Sequence, residues 1–114
     1  MSIDAQKQNL LNAVSLIRAS EQLLMQESRN STDANTSIKI NTEFQNLDSI
    51  LSQLLHAQAI ADDADFANAA AALKQLSSTL QIDQAQIQQI VTDVGTAAQI
   101  VGFLTQAAGL VAAV

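Results

Sequence analysis

The first 94 residues of this chain contain neither proline nor glycine, and all three glycines come after them. These residues are the strongest helix interrupters, disfavoured in a helix interior by about 3 and about 1 kcal/mol relative to alanine. Without them, helices must begin and end where Ser, Thr, Asn or Asp side chains bond their own backbone. Strand-forming composition is also thin: the only aromatics are Phe44, Phe66 and Phe103, and valine is rare before residue 91. The expectation is an all-α fold, an up-down helical bundle or extended helical hairpin of three to four helices with a long apolar C-terminal helix. A length of 114 residues suits one domain, residues 1–114.

Periodicity places four helices, at approximately 3–28, 38–61, 64–80 and 84–114. In the first, Ile3, Leu10, Val14, Ile17 and Leu24 form a stripe. Ser2 is placed to cap it and Asp4 to complement its dipole. Glu21 interrupts that stripe, either as a buried registry residue or, as such residues more often do, by reaching out at an edge. Residues 30–37 are rich in Asn, Ser, Thr and Asp and read as the clearest loop. In the second helix Ile40, Phe44, Leu47, Leu51 and Leu54 step by four and three as a heptad seam, and Thr42 with Gln45 has capping-box spacing. Phe66, Ala69, Ala70, Leu73, Leu76 and Leu80 share one side of the third. Asp83 with Gln86 repeats the capping-box spacing, and Ile82 with Ile87 has the makings of a hydrophobic staple. That chemistry favours a break at 81–83 over one continuous helix, leaving a final helix roughly 46 Å long at about 1.5 Å per residue.

The final segment is the most unusual. No charged side chain follows Asp93. Gly95, Ala98, Gly102, Thr105, Gly109 and Ala112 recur at steps of three and four, so six small side chains lie along one face. Three in-phase glycines weaken the helix, and what they permit is close approach of another backbone. Ile100, Phe103 and Leu110 extend the apolar coverage, and only Thr92, Thr96, Gln99 and Gln106 keep a polar strip. A helix apolar almost all round belongs in a protein interior or in lipid. Three settings fit: the centre of the chain's own bundle, with the small row against the Ala-rich third helix; burial between subunits; or a membrane. The uncharged stretch matches the ~20 residues that span a bilayer. It lacks the Trp, Tyr, Lys and Arg that anchor such spans, and it carries two glutamines, so a resident membrane anchor is disfavoured. The assembly argument requires a backbone laid against Gly95, Gly102 and Gly109; with those three facing water and nothing against them, it would fall and only a helical fold would remain.

Charge excludes one class of partner. The net charge is −6, and the five basic residues, Lys7, Arg18, Arg29, Lys39 and Lys74, are scattered. Nucleic-acid binding needs clustered positive charge to release counterions, so no nucleic-acid partner is expected. With no cysteine, disulfides, thiol catalysis and Cys-ligated metal are excluded. The N-terminus has no basic region followed by an apolar run, so no signal peptide is read, and the chain is expected in the cytoplasm or exported by a signal-less route.

Chemical motifs fail on inspection. The segment from Asp33 begins like an EF-hand loop, but Ile38 holds the glycine position and Phe44 the closing glutamate position, with Glu43 one place early. Asp62, Asp63 and Asp65 read as helix capping rather than a cation site. His56, the sole histidine, falls opposite the Leu51/Leu54 seam with no second His or Cys nearby. No nucleophile elbow or phosphate-cradling loop is present. The expectations are therefore no catalytic residue, no metal, no cofactor and no enzyme activity.

The composition, rich in Ala, Gln, Asn and Ser and poor in Lys and aromatics, resembles that of small self-assembling or secreted bacterial helical proteins. Flagellin termini, type III needle subunits and the proteins of extendable inclusion ribbons are of this kind. The resemblance implies no residue's role. The sequence thus points to a non-enzymatic structural or interaction protein that forms homo-oligomers, or binds another helical protein, through Gly95, Ala98, Gly102, Thr105, Gly109, Ala112, Ile100, Phe103 and Leu110. The alternative is a membrane-active toxin or pore component whose last helix enters lipid.

Overall fold

Where the sequence supplies a side-chain cap, a helix begins. A computed structural model describes residues 2–114, so Met1, the first residue of the expected domain, lies outside the description. The described residues form five α-helices and no strand: α1 (Ile3–Asn30), α2 (Ala34–Gln58), α3 (Asp63–Leu73), α4 (Gln75–Ile90) and α5 (Val94–Ala112). Ser2 Oγ accepts from the Ala5 amide at 3.2 Å, opening α1. Asp33 accepts from the Asn35 amide at 3.1 Å, Asp62 from that of Asp65 at 2.9 Å and Asp93 from that of Thr96 at 2.8 Å. Each satisfies an amide that the first helical turn would otherwise leave orphaned.

Three boundaries differ from those expected. The polar stretch 30–37 is a loop only at 31–33, because Asp33 caps a helix that already includes Asn35, Thr36 and Ser37. Thr42 therefore lies inside α2, where its hydroxyl donates back to the Ile38 carbonyl at 3.1 Å. At its other end α2 stops at Gln58 rather than 61. The break expected at 81–83 is absent, and α4 runs through it to Ile90. Asp83 faces inward there instead of capping, and Ile82 is exposed, so the staple with buried Ile87 does not form. The chain breaks instead at 91–93, where extended Val91 ends α4 and Asp93 caps α5. As a result α5 is 19 residues long, roughly 28 Å.

Between α3 and α4 only Lys74 interrupts the helix, with α-helical dihedrals, and an i→i+3 bond from Ser77 N to Lys74 O tightens the turn. The two behave as one rod, giving a bundle of four rods and extents of 48 × 20 × 18 Å. Short loops make successive rods antiparallel neighbours. Around the bundle, α1 lies between α2 and α5, and α4 closes the ring between α5 and α2. The α4–α2 seam is the slightest of the four. Gln6 Nε2 donates to the Val114 carbonyl at 3.1 Å, tying the start of α1 to the end of α5. Lys7 fastens the same end of the bundle. Its Nζ donates to the Ile60 carbonyl at 2.6 Å and sits 5.2 Å from the Phe66 ring centroid.

The core contains Leu10, Ile17 and Leu24 of α1, Leu47 and Leu54 of α2, Phe66, Leu80 and Ile87 of the third rod, and Ile100, Leu104 and Val111 of α5, all fully buried. Phe44, assigned to the α2 seam by spacing, is only half-buried, and Ile50 and Glu43 face inward with that seam.

Candidate functional site

Two features stand apart from ordinary helical packing: the outer face of α5 and a set of buried carboxyl groups. The inner side of α5 packs Ile100, Leu104, Ala107, Ala108 and Val111 against α1 and α4. At about 100° per residue, the small row falls on the opposite side. Gly95, Ala98, Gly102, Thr105, Gly109 and Ala112 are all exposed. A Cβ built on Gly102 or Gly109 would meet nothing within 4 Å, and one on Gly95 would meet only Asp93 Oδ1, at 3.4 Å.

Close packing of this row inside the chain's own bundle is therefore overturned, and the backbone that the assembly argument required against Gly95, Gly102 and Gly109 is not found among the described residues. The Ala-rich α3 continues into α4 and packs chiefly on α2, not on α5. The nine residues expected to form one interface divide: Ile100 belongs to the core, Phe103 and Leu110 are half-buried at the flank, and the six small residues face solvent. The reason lies in bulk. Burying the aliphatic edge excludes more apolar surface than burying glycines does, and the larger side chains take the core side.

Thr105 has its own contacts. Its hydroxyl donates to the Val101 carbonyl at 2.8 Å and accepts from Gln84 Nε2 of α4 at 2.9 Å. Val94, at the start of the face, is 83% exposed. By length and composition α5 could cross a membrane, and it is the one helix among the described residues that could.

The second feature lies in the core. Glu21 and Glu43 are each 6% exposed and Asp83 is 3% exposed. Glu21 is thus buried rather than reaching out at an edge, and it meets Asp48 of α2, with Arg18 acting in the opposite sense. Burial, reinforced by Asp48, pushes the Glu21 carboxyl from 4.5 to about 7. Glu43 of α2 faces Asp83 of α4. Desolvation and the Asp83 charge raise Glu43 to about 7, while a hydrogen bond with Asn46 pulls it down. Burial also raises Asp83. One oxygen of each, Glu21 Oε2, Glu43 Oε2 and Asp83 Oδ2, is buried without a hydrogen-bond partner.

Sequence reasoning missed Glu43 and Asp83. Glu43 lies between Ile40 and Leu47, and Asp83 between Leu80 and Ile87, each at core-stripe spacing. Asp83 instead passed for a cap because Gln86 follows it by three.

The other candidates keep to local structure. Asp33 and Asp93 cap helices, and hydrogen bonds from Thr36 and Thr96 hold their carboxyls below the usual range. His56 is exposed beside a shallow groove between α2 and α3 whose lining holds no second ligating side chain. Among the described residues, no group of three or more acidic or histidine side chains is gathered as a metal site would require. Compared with protein-family models, curated proteins and solved structures, the chain matches none.

Proposed function

We propose that this chain is a non-enzymatic interaction protein that self-associates through the outer face of α5. The observation carrying this reading is that face itself: exposed Val94, Gly95, Ala98, Gly102, Gly109 and Ala112, with no charge from one end of the helix to the other. Among the described residues, none comes within 4 Å of a Cβ built on Gly102 or Gly109. The backbone that the row can accommodate must come from a second molecule, and a second α5 offers the matching small face, as twofold association requires.

Sedimentation velocity of the full chain over a wide concentration range tests the reading, alongside Gly102→Leu. The wild type should shift from monomer to a discrete oligomer, and Gly102→Leu should remain monomeric at the same concentrations. A wild type that stays monomeric throughout, or a variant that associates equally well, would refute it. Flotation with anionic vesicles, in the same buffer, distinguishes the lipid-binding alternative, supported by the length and composition of α5. That route must also strip Ile100, Leu104 and Val111 from the core, a cost that vesicle binding would have to offset.

A further inference from the structure

At the slightest seam of the bundle, between α2 and α4, two buried acids face each other, Glu43 and Asp83, each with one carboxyl oxygen lacking a hydrogen-bond partner among the described residues. Two facing carboxyl groups can hydrogen-bond only if one of them carries a proton, since an ionised carboxylate is an acceptor alone. With that proton, the pair closes the seam. Without it, two negative charges confront each other where water is largely excluded.

Few charged groups surround the pair among the described residues. Asp83 is the only ionisable side chain of α4, and α5 carries none. On α2, Lys39 lines the same groove as Glu43, one turn away, and also acts on Asp33. From α1, Glu21 is acted on by Asp48 and Arg18, and neither Arg18 nor Glu21 is among the groups acting on Glu43. The acids of α3 are Asp63 and Asp65, in its first turn, and neither acts on the pair. Beside the pair the seam is already grooved, with Ile50 and Leu76 in the lining and Ile82 59% exposed.

We propose that Glu43 and Asp83 form a proton-operated latch, holding α4 against α2 through one shared proton and releasing that seam when the proton is lost. The elevated Glu43 value puts the release near neutral pH. The sign follows from proton counting. Folded chains hold a proton that unfolded chains have already given up above about 4.5, so rising pH favours opening until the folded pair itself ionises. A carboxyl raised from 4.5 to about 7 multiplies the unfolding equilibrium constant by roughly seventyfold between about pH 5 and about pH 8.

The test is urea unfolding of the full chain at those two pH values, with the wild type, Glu43→Gln/Asp83→Asn and Glu21→Gln. The paired amides of the double variant hydrogen-bond without a titrating proton. The wild type should lose stability toward pH 8. Glu43→Gln/Asp83→Asn should lose one factor of roughly seventy from that dependence, and Glu21→Gln should retain the factor belonging to the latch. A wild type equally stable at both values, or a double variant with undiminished dependence, overturns the proposal.

Should the double variant fail to fold, carboxyl-carbon NMR of the wild type decides. A Glu43 titration midpoint near 7, with amide exchange along α2 and α4 quickening through the same range beyond its intrinsic pH dependence, supports the latch. A midpoint near 4.5 overturns it.

Discussion

Replacing Gly102 and Gly109 together by alanine separates what the small row does within one chain from what it does between chains. Both positions are helical, neither has a positive φ, and an added Cβ would find open space. In the isolated bundle the substitutions therefore act only through the backbone. Alanine is favoured over glycine in a helix interior by about 0.8–1 kcal/mol, and compatible Gly→Ala changes in proteins yield about 0.4–1 kcal/mol. The pair should thus stabilise the monomer by about 1–2 kcal/mol. At roughly 5 °C per kcal/mol for a domain near this size, Tm should rise by about 5–10 °C. Gly95 is left out because its new methyl would touch Asp93 Oδ1, the oxygen that caps α5, so its substitution would not act through the backbone alone. The assay is thermal unfolding followed by far-UV circular dichroism, at a concentration shown by sedimentation to be monomeric. An unchanged or lower Tm would refute the placement of the row in solvent. At high concentration the sign should reverse if the proposed assembly forms, because two extra methyl groups then hold the facing backbones apart.

Other perturbations address the core and the caps. Phe66→Ala removes a fully buried ring and the surface over which Lys7 sits, and should cost about 3–5 kcal/mol in urea unfolding. Asp93→Ala frees the Thr96 amide, so hydrogen exchange should quicken in the first turn of α5 while the middle of α1 is unaffected. Because hydrogen bonding holds the Asp93 carboxyl below its ordinary 3.8, the cap is intact above that value and is lost as pH falls through the lower, folded-state value, which exchange at Thr96 followed into acid would reveal.

The all-α class was legible because it depends on what is absent: with no proline or early glycine and few strand formers, helix has no local competitor. The caps were legible too where the capping residue directly precedes an apolar stripe, as Ser2 and Asp62 do. The α2 start went wrong for a physical reason. Asn, Thr and Ser are poor helix formers in isolation, but one good cap at Asp33, with Thr36 Oγ1 donating to its Oδ2 at 2.8 Å, is enough to recruit them. The final break was misplaced because sequence spacing at 83–86 and at 93–96 offers the same kind of cap, and spacing alone does not say which acid faces solvent.

That ambiguity connects the candidate surface with the acids. On α5 every residue type on the outer face is compatible with burial, yet the neighbouring rods claim the side with Ile100, Leu104 and Val111. On α2 and α4 the reverse holds: Glu43 and Asp83 are residue types that favour water, yet their stripe partners Ile40, Leu47, Leu80 and Ile87 carry them inside. In both cases a residue's neighbours at three and four positions' remove outweigh its own polarity, because a helix rotates as a rigid unit and buries whichever side excludes the most apolar surface. A glycine carried outward loses almost nothing by this. A carboxyl carried inward must find a proton or a cation, and at the α2–α4 seam the two acids are placed to share a proton.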